Sequence, residues 1–395
     1  MPIRVPNSES PELSIVVLFT HDPVLATRCA ESIAAVAEEL PATETIFLLG
    51  GSSPAVRDVI GAVEGARVID SPQNLGTAVG WTLGFNAARG RRILLMHEDA
   101  EATPGMTPSL LETLDANPDA AIAGPWLTEL GGEEASSCGW VWFRDQAQTR
   151  VAREYMPEDL IGAPYAVDGV SSAISMWDRQ SWLEGGGFDE RNFPALGVDA
   201  DACTSAWARG RSVLIDPRVT GIHRTGAMDD APGRLSGKFV RYFMLERFKR
   251  LWFEKWGAMA DWFAELPEGA APGSVEDASL RIAQRRRRER PRIPGEFPLP
   301  HHPFTDPDGT GAMPAEVDAA MLDRLARAEA AAMDEYHLWL IKHSERQQAE
   351  IEELAAAVRT GSARESHLAE QLTAIHAGRY WRLRTKARKL LGIKG

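Results

Sequence analysis

The stretch Arg91–Gly105, RRILLMHEDAEATPG, decides the reading of the fold. Ile93, Leu94, Leu95 and Met96 form an unbroken apolar run, the pattern of a strand covered on both faces rather than one. The run stops at His97, Glu98, Asp99, Ala100 and Glu101. Three carboxylates at a strand end repel one another unless a cation sits among them. Strands buried on both faces belong to sheets with helices above and below, and in such sheets ligands collect outside the carboxyl ends of the strands. The acidic cluster lies at one of those ends.

Working outward, the same alternation repeats. Ser14–Phe19 is a β-branched strand followed by a helical pattern, Ile46–Leu49 and Ala66–Ile69 are further strands, and DSPQNLGTAVGWTLGFNAARG feeds a loop into a helix. From Pro104 the spacing predicts a helix to Ala116, then a strand in AAIAGPWL. Ala166–Met176 reads as one strand, DRQSWLEGGG and DADACTSAWARG as helices, and SVLIDPRVTGIH as the last strand. The expectation is an α/β domain with a mostly parallel sheet flanked by helices.

Beyond Lys238 the character changes: aromatic and basic residues crowd the chain as far as Phe263, and Arg285–Arg288 with PRIPGEFPLPHHPF reads as an exposed linker. Glu316–Ile375 is helical in composition, with Ile351, Leu354, Val358, Leu368, Leu372 and Ile375 on a heptad interrupted at Gly361 and Glu365. The tail Arg379–Lys394 carries seven basic residues and no acid. It reads either as an amphipathic helix on an anionic membrane surface or as a solvated basic helix end. Three parts follow: 1–245, 246–315 and 316–395.

Composition narrows the function classes. The 395 residues suffice for a sizeable core plus an appendage, and a net charge of -13 argues against general nucleic-acid binding. Cys29, Cys138 and Cys203 form no paired motif, so a reducing compartment and buried thiols are expected. The amino terminus lacks a signal-peptide core and no apolar run is long enough to span a bilayer. The expected location is the cytoplasm, at the inner face of the plasma membrane if the tail docks there.

Asp99 and Glu101 can face one hard cation where the strand ends, and magnesium or manganese suits such oxygen ligands. Asn74, Gly76, Gly80 and Gly84 lie where backbone can approach a phosphate or sugar closely. GGFDERNF, the acid pair Asp199 and Asp201, and His223 follow downstream. In this order the motifs resemble those of the family 2 glycosyltransferases of the GT-A fold, and within them the rhamnosyl- and galactofuranosyltransferase type. The resemblance covers Ser14–Gly226. It rests on SIVVLFTHDP, NLGTAVGWTLGFNAA, HEDAE, GGFDERNF, VDADACTSAWARG and IDPRVTGIH.

The resemblance implies an inverting, metal-dependent transfer of sugar from a nucleotide-diphospho-sugar to a cell-envelope glycan or lipid-linked acceptor. Thr20, Asn74, Gly76, Gly80 and Asp99 would bind the donor. Asp99, Glu101 and His223 would hold the magnesium or manganese ion. Asp199 would be the general base, Phe188, Asp189 and Glu190 would form the acceptor side, and Asp201 would orient its helix or bind acceptor. The chain departs from the family at two points, with Leu49, Gly50 and Gly51 where an Asp usually meets the nucleotide base, and Val198 where a Glu usually precedes the base. Trp140, Trp142, Trp177 and Trp207 read either as sugar-stacking or as core residues.

Two rivals stand beside this reading. A doubly wound oxidoreductase would need G-x-G-x-x-G after the first strand, where the chain has THDPV. A catalytically degenerate scaffold would use the helical tail for assembly, and the same helices offer a route to a homo-oligomer.

Overall fold

The computed structural model describes residues 2–131, 135–143, 149–150, 158–224, 238–263, 297–311 and 313–359. The chain divides into two compact units, Met1–Leu325 and Ala326–Gly395. The first unit holds β1 (Leu13–Phe19), α1 (Pro23–Ala35), β2 (Thr43–Gly50), α2 (Pro54–Gly61), β3 (Arg67–Ser71), α3 (Gly76–Ala87) and β4 (Arg92–His97). It continues through β5 (Ala100–Glu101), α4 (Met106–Ala116), β6 (Ala120–Thr128), the short β7 (Ala135–Ser137), β8 (Trp140–Val141) and β9 (Thr149–Arg150). Then come β10 (Tyr165–Ala166), β11 (Ile174–Asp178), α5 (Arg179–Glu184), α6 (Val198–Ala208), β12 (Ser212–His223) and α7 (Lys238–Trp256). A long helix, α8 (Ala319–Arg359), crosses the boundary between the units.

The main sheet runs β10-β12-β6-β11-β4-β1-β2-β3, with β5 paired to β12 and β7 to β6. Its β4-β1-β2-β3 half is parallel, as the alternation of strand and helix dictates. The other half is mixed, because β11 runs antiparallel to both β4 and β6. Residues of β4 alternate between two buried clusters: Ile93 and Leu95 face one, Leu94 and Met96 the other. The unbroken apolar run thus reflects helices on both faces.

Local signals set the helix starts. Asp22 accepts the amides of Val24 and Leu25 with Pro23 in the first turn, and Ser53 accepts the amide of Val56 ahead of α2. Gly84 lets α3 lie close on the sheet, since a Cβ there would stand 2.5 Å from Val16 and 2.9 Å from Leu48. Gly51, at φ +64°, needs its missing side chain: a Cβ would sit 2.6 Å from the Asn74 amide nitrogen. An aspartate at Gly51 would be strained and would press on the Asn74 backbone.

The single strand expected over Ala166–Met176 is instead two, separated by the loop 167–173. The break has a packing cause. The Asp168 carboxylate accepts the Trp142 amide at 2.9 Å, and Gly169 lies where a Cβ would meet the Trp142 ring at 2.5 Å. This loop carries Ser172 toward the carboxyl end of β4.

The 245/246 boundary drawn from composition falls inside α7, whose Trp252 and Trp256 are buried in the main core. Part of the expected linker is also docked: Thr305 is buried, and the His301 carbonyl accepts the amides of Glu190 and Arg191. Trp140, Trp142, Trp177 and Trp207 all belong to the core, as do the three free cysteines. Among the described residues, no helix is long and apolar enough to cross a membrane. The heptad positions beyond Arg359 and the basic tail lie outside the described residues.

Candidate active site

The site is assembled where β4 ends. After His97 the chain turns through Glu98 and Asp99 into β5, which pairs antiparallel with the end of β12, His223 opposite Ala100. That pairing brings a histidine more than a hundred residues downstream beside Asp99. His97 Nδ1 lies 3.8 Å from Asp99 Oδ1, and His223 Nε2 lies 3.6 Å from Asp99 Oδ2. One ligand atom from each of the three residues falls within 4.8 Å of the others.

Each carboxylate of the opening stretch has a different fate. Glu98 is buried and accepts the Thr20 amide at 2.9 Å and the Thr20 hydroxyl, so it fastens the turn after β1 to the end of β4. Burial pushes its carboxyl up to about 6 against those hydrogen bonds. Glu101 accepts from Arg28 Nε at 2.7 Å, with Arg224 at 3.6 Å. The cations beside Glu101 are therefore arginines, and the structure does not bring this carboxylate into the His-Asp-His group. Only Asp99 remains aimed at the group.

That group fits a divalent cation. Asp99 is 4% exposed and its Oδ1 has no hydrogen-bond partner among the described residues, a costly state for a buried carboxylate oxygen that a bound cation would relieve. Burial alone would raise its pKa, but the hydrogen bond from His223 and the two imidazoles outweigh it and the net shift is downward. His97 packs on Trp81, ring centroids 5.5 Å apart, and desolvation pushes its pKa down to about 4. Near neutral pH it is an uncharged imidazole, the form that ligates metals.

Asp199 stands at the start of α6. Its Oδ1 accepts the Ala200 amide at 2.9 Å, and its Oδ2 accepts the amide and the hydroxyl of Ser172 at 3.2 and 2.9 Å. Burial outweighs these bonds and raises its pKa above the usual aspartate value, while the residue keeps partial exposure. Val198 is buried in the core.

The expected acceptor-side residues serve another purpose. Phe188 is buried among Trp81, Phe85, Trp177 and Trp182. Asp189 and Asp201 share Lys255 Nζ at 2.8 and 2.9 Å, and Asp201 also accepts from Trp256 Nε1 at 2.8 Å. Glu190 is fully buried and accepts the amides of Phe304 and Thr305, both at 3.2 Å. These carboxylates anchor α7 and the 301–305 segment to the domain. They do not line an open acceptor surface.

Lys255→Met leaves two buried carboxylates without their cation. Breaking a buried pair in this way costs about 3–5 kcal/mol. Chemical denaturation monitored by tryptophan fluorescence should register that loss. An unchanged midpoint would show that the cluster contributes nothing to stability.

Of the expected donor-side residues, Asn74 and Gly76 form a tight turn before α3, with Asn74 Oδ1 accepting the Gly76 amide at 2.8 Å and Gly76 at φ +68°. Gly80 is buried against Leu18, where a Cβ would come within 3.1 Å, so its role is helix-to-sheet packing. Sequence reasoning missed His97 as a member of the site, along with Ser172 and the Glu98–Thr20 tie.

Residues 14–155 match the model of glycosyl transferase family 2. That segment includes His97 and Asp99; Ser172, Asp199 and His223 follow it in the chain. Among solved structures, GalNAc-T7 with UDP, GalNAc and Mn2+ is similar, at 15% identity and TM-score 0.50, covering 69% of this chain and 54% of its own. The chain therefore spans about half the length of that relative, and the likeness shows the GT-A fold. The mannosyltransferase PcManGT from Pyrobaculum calidifontis, with GDP-Man and Mn2+, aligns over 98% of this chain and 86% of its own at 13% identity and TM-score 0.48. No curated protein sequence matches the chain.

Proposed function

We propose that the protein is an inverting, metal-dependent glycosyltransferase that moves a sugar from a nucleotide-diphospho-sugar to a hydroxyl of a cell-envelope glycan or lipid-linked acceptor. The observation that carries the metal and donor part is the His97, Asp99 and His223 group assembled where β4 and β12 end, with His97 and Asp99 inside the stretch that matches the family 2 model. The envelope acceptor rests on the resemblance of the motif order to rhamnosyl- and galactofuranosyltransferases.

A divalent cation at this group would neutralise charge on the departing nucleoside diphosphate. The protein's own residues do the rest. Thr20, locked by Glu98, and the Asn74–Gly76 turn border the donor side. Asp199 takes the proton of the acceptor hydroxyl as that oxygen attacks the anomeric carbon from the face opposite the diphosphate. One displacement inverts the configuration. A raised pKa suits Asp199 to this work, because a base closer to neutrality binds the proton more firmly.

Two nitrogens and one carboxylate make a set that favours manganese over magnesium, which takes oxygen ligands almost alone. Incubation with a panel of nucleotide-diphospho-sugars and an envelope acceptor extract should release nucleoside diphosphate faster with manganese than with magnesium. Absence of release from every donor, with folded protein and manganese present, would favour a degenerate scaffold. We further propose that the basic tail Arg379–Lys394 docks on the inner membrane face, where each charge near an anionic surface contributes about 1 kcal/mol.

A further inference from the structure

Ser172 joins the two halves of the site. It is 5% exposed, in the loop before β11, and its Oγ lies 2.9 Å from Asp199 Oδ2 and 3.2 Å from His97 Nε2. A hydroxyl has one proton to give. Both Asp199 oxygens accept backbone amides, from Ala200 and from Ser172 itself, the pattern of a carboxylate that only accepts. The Ser172 proton therefore goes to Asp199, and its oxygen is left to accept from His97. His97 must then carry its single ring proton on Nε2. Its other nitrogen, Nδ1, is left bare on the side of Asp99.

We propose that Ser172 is a positioning residue that fixes His97 as the Nε2–H tautomer, so that Nδ1 presents a lone pair to the cation while the same hydroxyl orients Asp199. The ligand half of this inference rests on the metal reading above; the tautomer half rests on the hydrogen bonds alone. Partners of this kind set the orientation and basicity of ligating imidazoles, and their loss typically lowers metal affinity about 10- to 100-fold. The hydroxyl also makes the metal side and the base side one mechanical unit. A serine that merely fastened its loop would contribute to stability and leave the ring proton where it was.

The test uses the full chain labelled with 15N-histidine and held free of metal. Long-range 1H–15N spectra, with the His97 signals assigned through His97→Gln, should show a protonated Nε2 and a bare Nδ1. Ser172→Ala should release the ring into a mixture of tautomers, and manganese alone, titrated by electron paramagnetic resonance, should bind it about 10- to 100-fold more weakly. Ser172→Thr, which keeps the hydroxyl, should restore both readouts. Wild-type protein that binds manganese with the proton on Nδ1, or Ser172→Ala with unchanged tautomer and affinity, overturns the proposal and leaves the metal reading standing. Wild-type protein that has the Nε2–H tautomer and binds no manganese overturns the metal reading and, with it, the ligand half.

Discussion

Asp199→Asn lowers turnover by about 10²- to 10⁴-fold, the usual contribution of a positioned general base, and leaves donor KM close to the wild-type value. The substitution is isosteric. An asparagine has one acceptor oxygen where Asp199 uses two, so it keeps either the Ala200 amide or the Ser172 amide and hydroxyl, and the denaturation curve registers the set that is lost. What also disappears is the carboxylate that takes up the acceptor proton. Asp201→Asn behaves differently, because its carboxylate is buried against Lys255 and Trp256. Its cost falls on stability, with turnover per folded molecule preserved. Steady-state kinetics on both variants, with denaturation curves alongside, separate the roles. Near wild-type turnover in Asp199→Asn would remove it as the base.

The fold was legible because its strongest signals are local. The apolar runs of β1 and β4 are buried on both faces, and each of the first helices starts at its own cap and proline. Asp99 was legible for the same reason, as the acid at the end of a doubly covered strand. The fates of its neighbours were not, since they depend on partners far along the chain. Glu101 is taken by Arg28, 73 residues earlier, and Asp201 by Lys255, 54 residues later. A carboxylate in a motif looks the same on paper whether it faces a cleft or a buried lysine.

His97 is the instructive omission. It stands two residues before Asp99, at the place of the first acid in an Asp-x-Asp pair, and that spacing was readable. The acidic residues drew the reading toward Glu101 on the other side of Asp99. Pairing of β5 with β12 decides between the two, and no local pattern encodes that pairing. Ser172 was hidden by a similar non-local event, the breaking of one expected strand where the loop packs on Trp142.

Asp99, between His97 and His223, is proposed to hold the cation through which the donor is bound. Asp99→Asn removes the single carboxylate of the set and should abolish the metal dependence of nucleotide binding. The fold should persist, since Asp99 Oδ1 has no hydrogen-bond partner to lose among the described residues and an amide is cheaper to bury than a charge. Circular dichroism checks that point. The deciding measurement is calorimetric titration of a panel of nucleoside diphosphates covering all the common bases into wild type and Asp99→Asn, each in manganese and in chelator. Wild type should bind at least one of these nucleotides at least about 10-fold more tightly with manganese, a difference of about 1.4 kcal/mol, and Asp99→Asn should show no such gain. Binding of equal strength in manganese and in chelator by the wild-type protein would contradict that proposal.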